Sequence, residues 1–123
     1  MRLRSFMIMR PILRGGVANP DSISPALMAE MYRVGNRPRH YRAFISLLRN
    51  AESFELARKE YGRINVPVLL IWGNKDWSRP AEPELTRSLI PHAVVKTIAD
   101  GGHFLALDRP HELSELLISF VNA

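Results

Sequence analysis

The sequence predicts an α/β fold in which a parallel sheet of about two strands, with flanking helices, follows a purely helical segment. Two apolar runs, residues 66–72 (VPVLLIW) and 93–98 (AVVKTI), are rich in the β-branched residues typical of strands. Helical patterns lie between the two runs and after the second one. Because strands joined through a helix run in the same direction, we expect a parallel pair with a right-handed crossover.

Length and composition exclude several classes of protein. The chain has 123 residues, of which 46% are hydrophobic and 24% are charged, values typical of one globular domain or slightly more. It contains no cysteine, which excludes disulfides, cysteine-ligated zinc and a thiol nucleophile, and fits a cytoplasmic location. No apolar run approaches the ~20 residues of a membrane-spanning helix, so no membrane association is expected.

The net charge of +5 is concentrated in the first half. Residues 1–65 carry 12 Lys and Arg against 5 Asp and Glu, whereas residues 66–123 carry 5 against 7. Such an arginine-rich half could bind an anionic partner. The arginines are dispersed and lack interleaved aromatic residues, which favours a solvated helical surface, and nucleic acid is not an expected partner.

The first segment, residues 1–63, is predicted to be helical throughout. Residues 1–14 (MRLRSFMIMRPILR) lack the uninterrupted apolar run of a secretory signal and favour an amphipathic segment, with a transit peptide as the alternative. Asp21 or Ser22 is predicted to cap a helix that Pro25 opens and that Gly35 and Asn36 end.

Two further helices are predicted in this segment. One follows Pro38, and a shorter, more polar one covers residues 52–61.

The second segment, residues 64–123, carries the strands. The run at 66–72 shows no polar alternation, so it is expected to be buried on both faces. A helix is predicted over residues 82–90, and Asp108 is predicted to cap a final helix with Pro110 in its first turn. The buried side of that helix is predicted to consist of Leu113, Leu116, Leu117, Phe120 and Val121. A doubly covered parallel sheet needs more than two strands, so further strands are expected from elsewhere.

Two titratable side chains follow the two strands. Asp76 lies just past the first strand and His103 just past the second, and the carboxyl ends of parallel strands meet at one edge of a sheet. The carboxylate would accept the Nδ1 hydrogen of the imidazole, leaving Nε2 as a general base. Gly101 and Gly102 are expected to give the backbone the freedom to present the histidine. Asp76 as a simple turn residue, His103 as a packed loop residue and Asp100 as the acid are the alternatives.

Residues 64–121, with VPVLLIWGNKDW followed by IADGGHFLALDRPHELSELLISFV, resemble the C-terminal portion of the α/β-hydrolase superfamily. In that family a strand ending in W-G-x-x-D supplies the acid of a catalytic triad, and a G-H-F-type loop some 25–30 residues later supplies the histidine. The matching residues are Asp76 and His103, with 26 residues between them. The preceding helices resemble the end of the family's cap. Asn74 stands where a second acid is common.

The resemblance implies hydrolysis of a small apolar substrate, an ester, epoxide or halide, through a covalent ester and without a cofactor. Trp72, Trp77 and Phe104 are the candidate substrate-lining residues. The family's G-x-S-x-G nucleophile elbow and its oxyanion-hole loop do not occur in this sequence, so the chain alone is expected to be inactive until an N-terminal half completes it. The alternative is a non-catalytic remnant or interaction module that pairs, or self-associates, through an exposed sheet edge.

No metal site is expected from the sequence. His111 and Glu112 begin a zinc-helix pattern, but Glu115 stands where that pattern needs a second histidine.

Overall fold

A computed structural model describes residues 6–123, and within that range it contains seven α-helices, two short 3₁₀ turns and one parallel two-stranded sheet. The elements in chain order are α1 (Phe6–Gly15), α2 (Pro25–Gly35), α3 (Pro38–Arg49), α4 (Glu52–Lys59), β1 (Leu69–Gly73), α5 (Glu82–Leu89), β2 (Val94–Ile98), α6 (Leu105–Asp108) and α7 (Pro110–Val121). The predicted α/β class is confirmed. The start of the predicted amphipathic segment lies outside the described residues.

The two strands pair in parallel, as predicted, with Leu69 opposite Val94 and Gly73 opposite Ile98. Both strands are shorter than the predicted apolar runs, and β1 extends one residue past its run, to Gly73. The expectation that β1 is buried on both faces is wrong for this chain. Residues 69–72 are only half-buried, and Gly73 is the one buried residue of the strand. The reason is that each strand has a single neighbour within residues 6–123, so part of the sheet surface stays open.

Helix α2 starts where the proline predicts but with a different cap. The hydroxyl of Ser24 accepts a hydrogen bond from the backbone N–H of Leu27 at 3.1 Å, and Pro25 occupies the first turn. Asp21 and Ser22, the predicted caps, belong instead to the 3₁₀ turn Pro20–Ser22. Asn36 ends the helix as predicted.

The last helix, α7, corrects two predictions. Asp108 does not cap it, because Asp108 is the last residue of α6, and the cap position of α7 is taken by Arg109 without a side-chain hydrogen bond. Its apolar side is also less covered than expected. Three of the five predicted residues are half-buried, but Leu117 is 46% and Val121 is 80% exposed.

The buried core sits between the first helices and the loop that follows β2. Leu13, Val17, Ile23 and Met28 form its buried centre. Partly buried side chains pack around this centre, namely Met9, Leu27, Met31, Phe104 and Leu107. The last two come from the end of the chain, so the core joins the helical segment directly to the region of the predicted histidine. No helix in the described range is long and apolar enough to cross a bilayer.

Candidate active site

The two loops that follow β1 and β2 are joined by backbone and side-chain hydrogen bonds. The N–H of Asn74 donates to the carbonyl of Ile98 at 3.0 Å, and the N–H of Lys75 donates to the carbonyl of Gly101 at 2.9 Å. In return, the Asn74 side-chain oxygen accepts the N–H of Asp100 at 2.8 Å. These bonds extend the pairing of the strands and hold the two loops side by side.

In these two loops glycine is required because a side chain would not fit between the backbones. The expectation that Gly101 and Gly102 provide backbone freedom is therefore corrected. The one non-glycine residue with positive φ in the described chain is Asp100, at 51°, and no described glycine has positive φ. A Cβ on Gly73 would lie 2.0 Å from the carbonyl oxygen of Gly101, and one on Gly102 would lie 2.7 Å from the amide nitrogen of Ala18. The backbones therefore approach closer than any side chain would allow.

Asp76 and His103 meet at this edge of the sheet. The Nδ1 atom of His103 lies 3.1 Å from Oδ2 and 3.2 Å from Oδ1 of Asp76. The Asp76 side chain is 13% exposed and the His103 side chain 45% exposed. An ionised carboxylate can only accept, so Nδ1 carries the hydrogen; in a neutral imidazole, Nε2 then has a lone pair. Asp100, the rival acid, pairs instead with Lys75 at 2.6 Å.

Local hydrogen bonds keep Asp76 ionised. The backbone N–H of Ser78 donates to Oδ1 of Asp76 at 2.6 Å, a turn in which an aspartate bonds the backbone two residues on. Partial burial opposes ionisation, but the hydrogen bonds from Ser78 and His103 outweigh it and hold the pKa of Asp76 below its ordinary value. The contact from Ser78 was not predicted, although the D-x-S spacing is a sequence signal for it.

Two of the three predicted aromatic residues surround the imidazole. The Trp77 ring lies over His103, with centroids 4.9 Å apart and planes tilted by 31°. Phe104 meets both rings edge-on, at 5.7 Å from Trp77 and 5.5 Å from His103. Trp72 lies inside β1 opposite Thr97 and is not one of the rings that contact His103.

The turn after α1 packs against the same rings, a contact that the sequence did not predict. The N–H of Phe104 donates to the carbonyl of Gly16 at 2.8 Å. A Cβ on Gly16 would lie 2.4 Å from the Phe104 ring and 2.9 Å from the Trp77 ring. These residues are far apart in sequence, and no local pattern signals their contact.

Asp108 joins the same turn to the histidine loop. Its carboxylate accepts hydrogen bonds from the backbone N–H groups of Ala18, Asn19 and Gly102 and from the hydroxyl of Ser22. Partial burial opposes ionisation, but these donors outweigh it and hold the pKa of Asp108 below its ordinary value. This contact replaces the predicted role as a helix cap.

No group of three or more metal-ligating side chains comes together in residues 6–123. His111, where the zinc-like pattern starts, is an exposed residue in the first turn of α7.

Comparisons with known proteins identify the family of the chain. Residues 15–110 match the family described as alpha/beta hydrolase fold. The uncharacterized hydrolase YugF of Bacillus subtilis (strain 168) is 28% identical over 82 residues, which are 66% of this chain and 30% of that protein. The matched segment therefore covers less than a third of the length of that relative.

Two solved structures share the fold. Wild-type Cfl2 from Burkholderia cenocepacia superimposes with a TM-score of 0.81 and 29% identity, over 94% of this chain and 40% of that one. The 2-hydroxy-6-oxo-6-phenylhexa-2,4-dienoate hydrolase BphD from Rhodococcus sp. strain RHA1 gives a TM-score of 0.78 at 22% identity, over 98% and 46%. The chain thus corresponds to less than half of either structure.

Proposed function

The chain belongs to the alpha/beta hydrolase fold family, and from this premise we propose that Asp76 and His103 form the acid–base pair of a hydrolase. The observation that carries the proposal is the contact of Nδ1 of His103 with both carboxylate oxygens of Asp76, at 3.1 and 3.2 Å. The ionised carboxylate selects the tautomer in which Nε2 is unprotonated, and it stabilises the imidazolium that forms during proton transfer. This pair is suited to general-base catalysis.

For an ester substrate, proton transfer through Nε2 of His103 occurs in two balanced stages. Nε2 takes the proton of a hydroxyl nucleophile as the nucleophile's oxygen bonds to the carbonyl carbon, and the proton then goes to the departing alcohol oxygen. Nε2 next takes a proton from water as the water oxygen attacks the same carbon, and it returns that proton to the nucleophile. Asp76 stays ionised throughout, and the product acid leaves.

We further propose that residues 64–123 supply the acid and histidine end of the hydrolase core and that residues 1–63 form a cap-like segment beside it. The sequence contains no G-x-S-x-G elbow, so the nucleophile and the oxyanion donors would come from a segment other than these 123 residues. Because triad members act as a unit, the chain by itself would have little activity.

The proposed substrate is a small apolar molecule with an ester, epoxide or halide group. Trp77, 48% exposed, and the half-buried Phe104 offer ring surface next to the imidazole. Apolar surface beside a few polar groups is typical of small-molecule sites. Trp72 is not part of this ring cluster, so we leave it out of the proposed substrate site.

The test combines the chain with the nucleophile-bearing half of a family member and measures turnover of a small chromogenic ester. We expect turnover in the combined sample, its loss with His103→Ala, and retention with the control His111→Ala, which removes an exposed histidine in α7. Turnover that persists with His103→Ala would refute the proposed role.

A second candidate function, an interaction module, is favoured by the open sheet. Each strand has one neighbour in the described chain, and apolar side chains stay exposed, including Val66 at 59% and Ile118 at 62%. An open strand edge is a template for pairing with another chain. Sedimentation velocity over a wide range of concentrations tests this function, since a monomer at every concentration excludes self-pairing.

A further inference from the structure

We propose that Asp108 is a positioning residue, which fixes the loop bearing His103 against the turn that follows α1. The inference rests on the proposed acid–base role of His103, because positioning that ring matters only if the ring transfers protons. It assigns a function to a carboxylate that takes no part in the proton transfers.

The hydrogen-bonding capacity of Asp108 is fully used. Oδ2 accepts the N–H of Ala18 at 2.7 Å and that of Gly102 at 2.8 Å. Oδ1 accepts the hydroxyl of Ser22 at 2.9 Å and the N–H of Asn19 at 3.2 Å. A carboxylate has about four lone-pair sites, and only the ionised form can accept at all of them. Four donors converging on one side chain are more than a surface aspartate needs for solubility.

Three of these donors belong to one turn and the fourth to the histidine loop. Ala18, Asn19 and Ser22 follow α1, whereas Gly102 comes directly before His103 in the chain. The two regions are about 80 positions apart, and Asp108 bridges them with a single side chain. Charge-assisted hydrogen bonds of this kind are roughly twice as strong as neutral ones, so the bridge restrains both partners.

The other neighbour of His103 is tied to the same turn. The N–H of Phe104 donates to the carbonyl of Gly16 at 2.8 Å, and the Phe104 ring packs where a Cβ on Gly16 would be. Thus both chain neighbours of His103 are anchored to residues 16–19. Phe104 is bonded there directly, and Gly102 is connected through the carboxylate of Asp108. The imidazole itself is held by Asp76 from the opposite loop. The ring position is therefore set from two sides, and Asp108 controls one of them.

The donor arrangement makes the effect of substitutions at Asp108 unequal. In Asp108→Asn, the amide oxygen can replace Oδ2 and keep the bonds to Ala18 and Gly102. The amide NH₂ then faces Asn19 and Ser22, where the serine hydroxyl can turn to accept and only the Asn19 bond is lost. Asp108→Ala removes every acceptor and leaves part-buried N–H groups unpaired. We therefore expect a small effect on the histidine loop from Asn and a large one from Ala.

The experiment uses NMR on the isotope-labelled 123-residue chain, so its readout does not depend on activity. In Asp108→Ala we expect the Phe104 amide to exchange with solvent about tenfold faster, as follows from losing one hydrogen bond of ordinary strength. We also expect loss of the His103 Nδ1–H signal that marks the contact with Asp76. Asp108→Asn should retain both features and perturb the amide of Asn19. The matched control is Asp21→Asn, which removes an exposed carboxylate from the same turn.

The amides of α5, an element that supplies none of the hydrogen-bond donors to Asp108, report whether the Ala variant remains folded. If that variant unfolds, Asp108→Asn still tests the inference, because it should perturb the amide of Asn19 and leave the amide of Gly102 unchanged. An unchanged His103 ring signal and unchanged Phe104 exchange in folded Asp108→Ala would overturn the inference, and so would an Asn variant that perturbs both amides equally. Failure of the proposed function appears separately, as ester turnover that does not depend on His103.

Discussion

The ring Nδ1 of His103 lies within 3.2 Å of both carboxylate oxygens of Asp76, a residue 27 positions earlier in the chain. Two loops bring them together, and the approach of these loops depends on glycine at position 73, where a Cβ would lie 2.0 Å from the carbonyl oxygen of Gly101. The pair therefore depends on the backbone packing beneath it as much as on its own charge.

The first prediction concerns the packing beneath the pair. Gly73→Ala places a Cβ 2.0 Å from the carbonyl oxygen of Gly101, a backbone atom that cannot rotate away. We expect a loss of about 3 kcal/mol in the free energy of unfolding, at the upper end for overpacking, measured by urea denaturation. The control is Gly62→Ala, which meets no atom within 4 Å and should change stability by less than about 0.5 kcal/mol. Equal stability of the two variants would contradict the close approach.

The second prediction concerns the acid. In a sample completed by a nucleophile-bearing half, Asp76→Asn should lower kcat by roughly 10³- to 10⁴-fold, because an amide neither selects the tautomer nor stabilises the imidazolium. Asp100→Asn is the matched control. Asp100 pairs with Lys75, and asparagine tolerates its positive φ, so turnover should stay near that of the unaltered chain. A larger loss from Asp100→Asn would make Asp100 the acid instead.

The third prediction concerns pH. The pKa values of Asp76 and Asp108 are lowered in the folded chain by their hydrogen bonds. Their stabilisation is therefore complete above the unfolded aspartate pKa of about 3.9 and is lost as the pH falls through the lowered folded values. Urea denaturation between about pH 6 and pH 3 should show stability falling only at the acid end of that range. Glu30 and Glu84 also have lowered pKa values, but their side chains are exposed and should contribute little.

The double variant Asp76→Asn with Asp108→Asn is the comparison for this titration. Near neutral pH, its free energy of unfolding should be lower than that of the unaltered chain. That free energy should also fall less as the pH is lowered, because the two titrating carboxylates are gone. An acid dependence identical to that of the unaltered chain would show that neither carboxylate contributes.

The fourth prediction concerns the turn after α1. Gly16→Ala places a Cβ 2.4 Å from the Phe104 ring, which must move, and we expect destabilisation of about 1–3 kcal/mol together with a changed environment of Trp77. Gly15→Ala is the neighbouring control. Its nearest atom is 3.8 Å away on Trp77, and alanine in place of a helical glycine should leave the chain as stable or more stable. Thermal unfolding and tryptophan fluorescence of both variants measure the difference, and similar melting temperatures would contradict the packing.

Local signals in the sequence predicted most of the elements correctly. Prolines at positions 25, 38, 83 and 110 lie in the first turns of α2, α3, α5 and α7, and the two apolar runs contain all of β2 and all of β1 except Gly73. Such signals work because a proline acts through its own dihedral angle and missing N–H, within one turn of the chain. The exact cap was less predictable, since Asp21, Ser22 and Ser24 have the same capping chemistry and backbone geometry selects among them.

The pairing of Asp76 with His103 also followed from the sequence, because the ends of parallel strands share one edge of a sheet. The hydrogen bonds of Asp108 did not. Its position just before Pro110 suggested a helix cap, yet its donors come from Gly102 and from a turn about 90 positions away. A carboxylate accepts from any N–H that reaches it, so the residue type alone does not identify its partners. Which donors reach Asp108 is decided by how the core formed by Leu13, Val17 and Ile23 packs against Phe104 and Leu107.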